Sequence, residues 1–145
     1  EEAAQSLGLT PKAEVAGIGW NSDAEHFTRP NSTTIIRAIH DAIDDAEITP
    51  ADIGAVNAHG TSTPTGDGTE VECLRTVFGK NVSKVPVSSN KSQVGHSLGA
   101  SAAIEAALAI EAMGQGVVLP TVNHIPDPAF SDLDDFSGHV VLRNC

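Results

Sequence analysis

The chain has 145 residues, of which 40% are apolar and only 3% aromatic, so it is sized for one domain with a core of alanine, valine, isoleucine and leucine. Its formal net charge of −11 at pH 7 argues against nucleic acid or an anionic membrane as a partner, because both require a basic surface. No apolar run approaches the ~20 residues of a membrane-spanning helix, and two cysteines provide no disulfide framework. These features favour a cytoplasmic location.

The first half of the chain is expected to alternate between strands and helices. Between Thr33 and Glu47 the apolar residues recur at helical spacing, which predicts an amphipathic helix. The acidic N-terminus lacks an initiator methionine, so we expect the chain to begin inside a larger protein. The predicted elements are a helix end at 1–8 closed by Gly8, a strand at 13–20, a helix at 33–47, a helix start at 49–52, a strand at 54–58, and a helix at 67–78 closed by Gly79.

The second half continues the same alternation. Residues 97–113 are nearly all alanine, leucine and isoleucine, which predicts a helix that is buried almost all round. The other predicted elements are a strand at 84–89, a loop that carries Lys91, a strand at 117–123, a loop rich in proline and aspartate at 124–137, and a final strand at 139–145. Strands that alternate with helices indicate an α/β fold in which helices cover a sheet.

The stretch AVNAHGTSTPTGDGTE at 55–70 is the first candidate site. A short apolar strand ends at His59 and is followed by a loop that carries Thr61 and Thr63, and α/β sheets bind ligands at such strand ends. A single histidine at this position also has a purely structural interpretation. Asp67 and Glu70 have the spacing of a capping box, which predicts that they only start a helix.

The stretch SSNKSQVGHSLGA at 88–100 is the second candidate site. Lys91 and His96 flank a glycine at a predicted helix start, where backbone N–H groups and the helix dipole favour anions. Two histidines, a lysine and several hydroxyls at two strand-to-helix crossings together predict a binding or catalytic site. The six histidines lack the spacing of a zinc site, and Cys73, inside a predicted helix, is interpreted as a buried thiol.

These two motifs resemble a known family. NAHGTSTPTGD is similar to the histidine motif of β-ketoacyl-[acyl-carrier-protein] synthases of the type I/II class, and NKSQVGHSLGA to their lysine–histidine motif. The resemblance implies that residues 1–145 form the C-terminal half of a thiolase-like fold, with a mixed sheet layered with helices, truncated at both ends. It also implies a condensing enzyme that elongates an acyl chain by decarboxylative Claisen condensation with malonyl-[acyl-carrier-protein], in fatty acid or polyketide synthesis.

The resemblance also implies roles for individual residues. Neutral imidazole N–H groups suit decarboxylation, because they stabilise the enolate charge that builds up on a thioester oxygen. The implied partners are an acyl carrier protein, the N-terminal half of the same synthase, and a second synthase-like subunit in a homodimer or heterodimer. No metal and no cofactor are implied beyond the phosphopantetheine of the substrate. The assigned residues are His59 and His96 for decarboxylation, Lys91 and its partner Glu105 for organising the site, and Thr61 and Thr63 for the pantetheine arm.

Two features of the family are absent from this sequence. The nucleophilic cysteine belongs to the N-terminal half, and the glycine-rich FGFGG loop does not follow the last predicted strand. We therefore expect this chain on its own to be inactive. A related non-enzymatic interpretation is a partner subunit that resembles a chain-length factor, although both histidines and the lysine favour a competent site. A thiolase is also related, because GHSLGAS resembles a thiolase stretch.

A serine hydrolase is a further alternative. Residues 95–99 read G-x-S-x-G, the pattern of an α/β-hydrolase nucleophile elbow with Ser97 as nucleophile. Asp127 or Asp132 and His139 could then complete a triad. The hydrolase interpretation requires a strand that runs directly into Gly95, and it leaves HGTSTP and Lys91 unexplained.

Overall fold

The computed structural model describes residues 2–26, 28–130 and 140–141. In this part of the chain helices alternate with short strands, as the sequence predicts. The elements are α1 (Glu2–Ser6), α2 (Ser32–Asp45), β1 (Val56–Asn57), α3 (Pro64–Phe78), β2 (Val87–Ser88), α4 (Lys91–Val94), α5 (Ser101–Gly114), β3 (Val117–Val118) and β4 (Val140–Val141).

The strands form one parallel and one antiparallel pair. β1 pairs with β2 in parallel, with Val56 opposite Val87, and β3 pairs with β4 antiparallel, with Val117 opposite Val141. The parallel ladder extends by one residue, because the N–H of Ala58 donates to the carbonyl of Ser88 at 2.7 Å. Both strand orientations and the alternating helices confirm the expected α/β class. The parallel pair also places the ends of β1 and β2 side by side, so the two candidate motifs emerge at one edge.

The core lies between α2, α3 and the segment that leads into β2. Its buried residues include Ile43 from α2 and Leu74 from α3, with Val77, Phe78, Val82 and Val85 around them. The helix α2 begins after Asn31, whose side-chain oxygen accepts the N–H of Thr33 at 2.9 Å. This N-cap satisfies a donor that the first turn of a helix otherwise leaves unpaired. The core therefore fixes α3, and with it the loop that carries His59.

The predicted strand at 13–20 is wrong. These residues belong to no described strand, and the side chains of Val15 and Trp20 are 78% and 84% exposed. A strand requires a neighbour that accepts its backbone hydrogen bonds, and none of the described residues provides one. The glycines in this stretch pack against α2 instead, since a Cβ on Gly19 would lie 1.8 Å from the carbonyl oxygen of Ala38.

The alanine-rich region at 97–113 differs from the prediction in both shape and burial. It divides into a 3₁₀ turn at Leu98–Ala100 and the helix α5, and Lys91 lies on the short helix α4 rather than in a loop. In α5 only Ser101, Glu105 and Ala112 are buried. The described residues place no second layer over the rest of its apolar surface. No helix in the described part of the chain combines the length and apolarity needed to cross a membrane.

Candidate active site

His59 and His96 meet at the edge where the parallel strands end. His59 follows β1, and His96 lies in the loop between α4 and α5. Their imidazole rings are edge to face, with ring centres 5.6 Å apart and an angle of 87° between the planes. Both residues are exposed in this chain. The fold thus brings together two histidines from separate motifs and leaves them open to a ligand.

Glu70 holds the backbone on which His59 sits. One carboxylate oxygen accepts the N–H of His59 at 2.7 Å, and the other accepts the N–H of Gly60 at 2.9 Å. The predicted capping box of Asp67 and Glu70 is therefore wrong. Helix α3 begins earlier, at Pro64, so Glu70 lies inside it and bridges to the preceding loop. Glu70 was not selected as a site residue because a capping box fully explains the D-x-x-E pattern. The only sequence signal for its contact with the loop is that the backbone N–H groups of that loop need acceptors.

Replacing Glu70 with alanine is expected to destabilise the folded protein by ~1–3 kcal/mol, because it leaves two backbone N–H groups without their charged acceptor. Glu70→Gln keeps one acceptor oxygen and should cost less. Urea unfolding measures the change. The matched control is Glu72→Ala, since Glu72 is exposed on the same helix and should change the stability by less than ~0.5 kcal/mol. Equal midpoints for the two alanine variants would contradict the assigned contact.

Lys91 and Glu105 form a buried ion pair. The Lys91 ammonium lies 2.6 Å from a carboxylate oxygen of Glu105, and their side chains are only 6% and 9% exposed. The other Glu105 oxygen accepts a hydrogen bond from the Asn57 side chain at 3.3 Å. Asn57 in turn accepts the backbone N–H of Asn90 at 3.4 Å. The contact expected between Lys91 and Glu105 is thus present, and Asn57 is a member of this network that the sequence interpretation did not select.

A backbone N–H beside His96 favours one of the two tautomers of its ring. The N–H of Leu98 donates to His96 Nδ1 at 3.3 Å, and a backbone N–H can only donate. Nδ1 must therefore be the unprotonated nitrogen in this arrangement, which leaves the proton on Nε2. Leu98 adopts a φ of 50°, a left-handed conformation that leucine rarely takes. Such strain at a loop is typical of sites where backbone geometry serves a ligand or a neighbouring group.

Thr61 and Thr63 lie together in the loop that follows His59. Their hydroxyl oxygens are 3.3 Å apart, and Thr63 is the N-cap residue of α3. The space beside them is limited, since a Cβ on Gly66 would lie 2.5 Å from the Thr63 hydroxyl. Two adjacent hydroxyls at the start of a helix can donate to an amide-rich ligand. Their assignment to a pantetheine arm stays a prediction.

The hydrolase interpretation is not supported by the local structure. A nucleophile elbow requires a strand directly before the motif, but residues 91–94 form the helix α4. Ser97 is followed by a 3₁₀ turn, and Asp127 uses one carboxylate oxygen to accept the N–H of Ala129. The other two proposed triad positions, Asp132 and His139, lie outside the described residues. Among the described residues no group of three or more histidine, cysteine, aspartate or glutamate side chains could hold a metal ion.

Cys73 is a poor nucleophile in this environment. It is fully buried in α3, and burial raises the pKa of its thiol, with the charges of Glu72 and then Glu70 adding to the effect. The interpretation of Cys73 as a buried thiol is therefore confirmed. A raised pKa means that the reactive thiolate forms only at a more alkaline pH than in an exposed cysteine. The second cysteine, Cys145, lies outside the described residues.

We expect Cys73 to resist alkylation by iodoacetamide in the native protein at neutral pH, and to resist acylation by an acyl thioester. Peptide mass spectrometry separates its adducts from those of Cys145. The same reaction in denaturant is the control and should label Cys73 readily. Rapid native labelling of Cys73, or an acyl adduct on it, would contradict the burial argument.

Comparison with known proteins identifies the family. The sequence model described as Beta-ketoacyl synthase, C-terminal domain, matches residues 12–124. The chain belongs to the β-ketoacyl synthase family. This match includes both candidate motifs and all six residues assigned above from the resemblance.

Members of the β-ketoacyl synthase family resemble the chain along most of its length. It is 43% identical over 136 residues to 3-oxoacyl-[acyl-carrier-protein] synthase 2 of Staphylococcus aureus (strain COL), covering 92% of this chain and 33% of that protein. The chain thus spans about a third of the length of this relative.

Solved structures of the family share the fold. A crystal structure of a β-ketoacyl synthase from Burkholderia phymatum STM815 superposes with a TM-score of 0.88 at 42% identity, covering 98% of this chain and 35% of that one. A type II PKS acyl-carrier protein in complex with its ketosynthase gives a TM-score of 0.88 at 32% identity, covering 97% and 35%. These similarities confirm the expected thiolase-like fold.

Proposed function

We propose that the chain is the C-terminal part of a condensing enzyme, which elongates an acyl chain by decarboxylative Claisen condensation with a malonyl thioester. The observation that carries the proposal is the pair of imidazole rings with centres 5.6 Å apart at the strand edge. Rings at this separation can each direct a nitrogen to one shared oxygen atom at about 3 Å, which is the distance of an oxyanion from its donors.

The chemistry follows from these two donors. The bond between the malonyl α-carbon and its carboxylate breaks, carbon dioxide leaves, and the electron pair moves onto the thioester as an enolate. His59 and His96 donate N–H hydrogen bonds to the enolate oxygen and lower the energy of the charge that develops there. The α-carbon then attacks the carbonyl of an acyl group held as a thioester on the enzyme, and the enzyme thiolate leaves.

The other assigned residues support this step. The buried Lys91–Glu105 pair keeps a fixed positive and negative charge beside the histidine loops, and its rigidity keeps the donors in place. Thr61 and Thr63 would bind the pantetheine arm that carries the malonyl group. The nucleophilic cysteine would come from the part of a synthase that corresponds to the remaining two thirds of the curated relative. The substrate brings its own phosphopantetheine, so no further cofactor enters the proposal.

The proposed partners follow from the substrate and from the exposed apolar surface. An acyl carrier protein would deliver the malonyl group, and the name of the S. aureus relative includes the acyl carrier protein. The exposed side chains of Val15, Ile18 and Trp20 would pack against the remainder of the synthase or a second synthase-like subunit.

The proposal is tested with the full-length protein that contains this chain. Incubated with malonyl-[acyl-carrier-protein] and an acyl thioester, it should release carbon dioxide and form a 3-oxoacyl thioester. A protein that folds, binds the carrier and releases no carbon dioxide would overturn the proposal. That outcome would favour the interpretation as a partner subunit that resembles a chain-length factor.

A further inference from the structure

We propose that Ser101 is a positioning residue, which holds His96 as the tautomer that donates from Nε2. This inference rests on the proposed function, because it assigns a purpose to that donor. Ser101 is the first residue of α5 and is only 7% exposed. Its hydroxyl oxygen lies 2.9 Å from His96 Nδ1 and 2.9 Å from the backbone nitrogen of Ser97.

The hydrogen bond from the Ser97 N–H determines the donor and the acceptor in both hydrogen bonds of the Ser101 hydroxyl. The Ser97 N–H can only donate, so it occupies a lone pair of the Ser101 oxygen. The Ser101 hydroxyl hydrogen then remains available for His96 Nδ1. Together with the N–H of Leu98 at 3.3 Å, two donors converge on this nitrogen. A proton on Nδ1 would face both of them, so the imidazole is held with Nδ1 as acceptor and Nε2 as donor.

Ser101 also holds the loop that supplies the second donor. By accepting the Ser97 N–H it ties residue 97 to the start of α5, next to the strained backbone of Leu98 with its φ of 50°. One hydroxyl group, that of Ser101, thereby contacts both the His96 ring and the backbone of the loop that joins His96 to α5. Alanine at this position would remove the direct donor and release the loop, and no neighbouring side chain on α5 offers a hydroxyl in its place.

The pattern of burial on α5 points the same way. Ser101 and Glu105 are buried polar residues on a helix made mostly of alanine, leucine and isoleucine. They lie four residues apart and therefore share one face of the helix. Glu105 contacts Lys91, and Ser101 contacts His96. Each of the two residues thus supports one residue of the proposed site.

The experiment uses the full-length synthase with Ser101→Ala, Ser101→Thr and Ser83→Ala, the last being an exposed serine on the 3₁₀ turn Gly79–Lys84. The ¹⁵N chemical shifts of the His96 ring nitrogens report the tautomer directly. Malonyl decarboxylation and acylation of the enzyme thiol are measured as separate steps. Ser101→Ala is expected to fold, because alanine is favourable in helices.

Ser101→Ala should populate the tautomer protonated at Nδ1 and lower kcat for decarboxylation about tenfold, with little change in KM or in acylation. Ser101→Thr should restore most of both signals, and Ser83→Ala should match the unmodified protein. An unchanged kcat in Ser101→Ala would overturn the inference, as would an unchanged tautomer. If the unmodified synthase does not decarboxylate malonyl thioesters, the proposed function fails instead, and the tautomer measurement still decides whether Ser101 orients His96.

Discussion

Replacing His96 with alanine in the full-length synthase is expected to slow malonyl decarboxylation by ~10²–10³-fold, the usual cost of removing one oxyanion donor. The reason is geometric. The His96 ring is held with Nε2 as a donor, and its centre lies 5.6 Å from that of His59, so both rings can reach one oxygen. Release of labelled carbon dioxide from malonyl-[acyl-carrier-protein] measures the step. Acylation of the nucleophile by an acyl thioester should continue, because it precedes enolate formation.

His59→Ala should show the same separation of steps. If both rings act on a single oxygen, the double variant should lose less than the product of the two single losses, because the groups act as a unit. His40→Ala is the matched control, since His40 is exposed on α2 outside the site. Normal decarboxylation in His96→Ala would remove His96 from the proposed role. A parallel loss of acylation would indicate that the substitution damages the fold rather than the donor.

Replacing either member of the Lys91–Glu105 pair is expected to destabilise the protein by ~3–5 kcal/mol. Lys91→Met leaves the Glu105 carboxylate buried without its counter-charge, and Glu105→Leu leaves the ammonium in the same position. The pair is nearly inaccessible to water, with side chains 6% and 9% exposed, so solvent cannot replace the missing partner. The double variant Lys91→Met/Glu105→Leu removes both charges and should cost much less than the sum of the single changes.

A second ion pair, on the surface of the chain, serves as the control for this comparison of single and double variants. Lys12 and Glu111 are 3.1 Å apart, but their side chains are 74% and 57% exposed. Removing that surface pair should change the stability by no more than ~1 kcal/mol. Urea unfolding of the single and double variants gives both coupling energies. Similar coupling for the two pairs would contradict the claim that burial makes the Lys91–Glu105 pair exceptional.

The sequence predicts most of the architecture because the local signals are strong. The apolar spacing of α2, the glycine that follows α3 and the alternation of strands with helices are all present in the structure. The strand expected at 13–20 is absent, because a strand depends on a neighbour and the sequence of the strand itself does not report one. The exposure of α5 has a similar origin, since its composition indicates burial without indicating which residues cover it.

The candidate site was only partly predictable. A site that uses His59 and His96 could be anticipated, because both lie at strand-to-helix crossings of the expected α/β fold, where ligands bind. The contacts that support the two histidines could not be predicted. Glu70 and Ser101 each have an ordinary local interpretation, as a capping residue and as a polar residue near a helix start, and their real partners depend on loop conformations. The contact of Glu105 with Lys91 was expected through the family resemblance.

Because Ser101 and Glu105 both lie on α5, this helix sets the distance between the two supports of the site. Four residues along an α-helix span about 6 Å, and this interval cannot be stretched without breaking backbone hydrogen bonds. His96 and Lys91 are each tied to one end of it. The helical pitch of α5 therefore fixes the distance between the two side chains that hold His96 and Lys91. A one-residue insertion within Ala102–Ala103–Ile104 would rotate one support by about 100° away from the other.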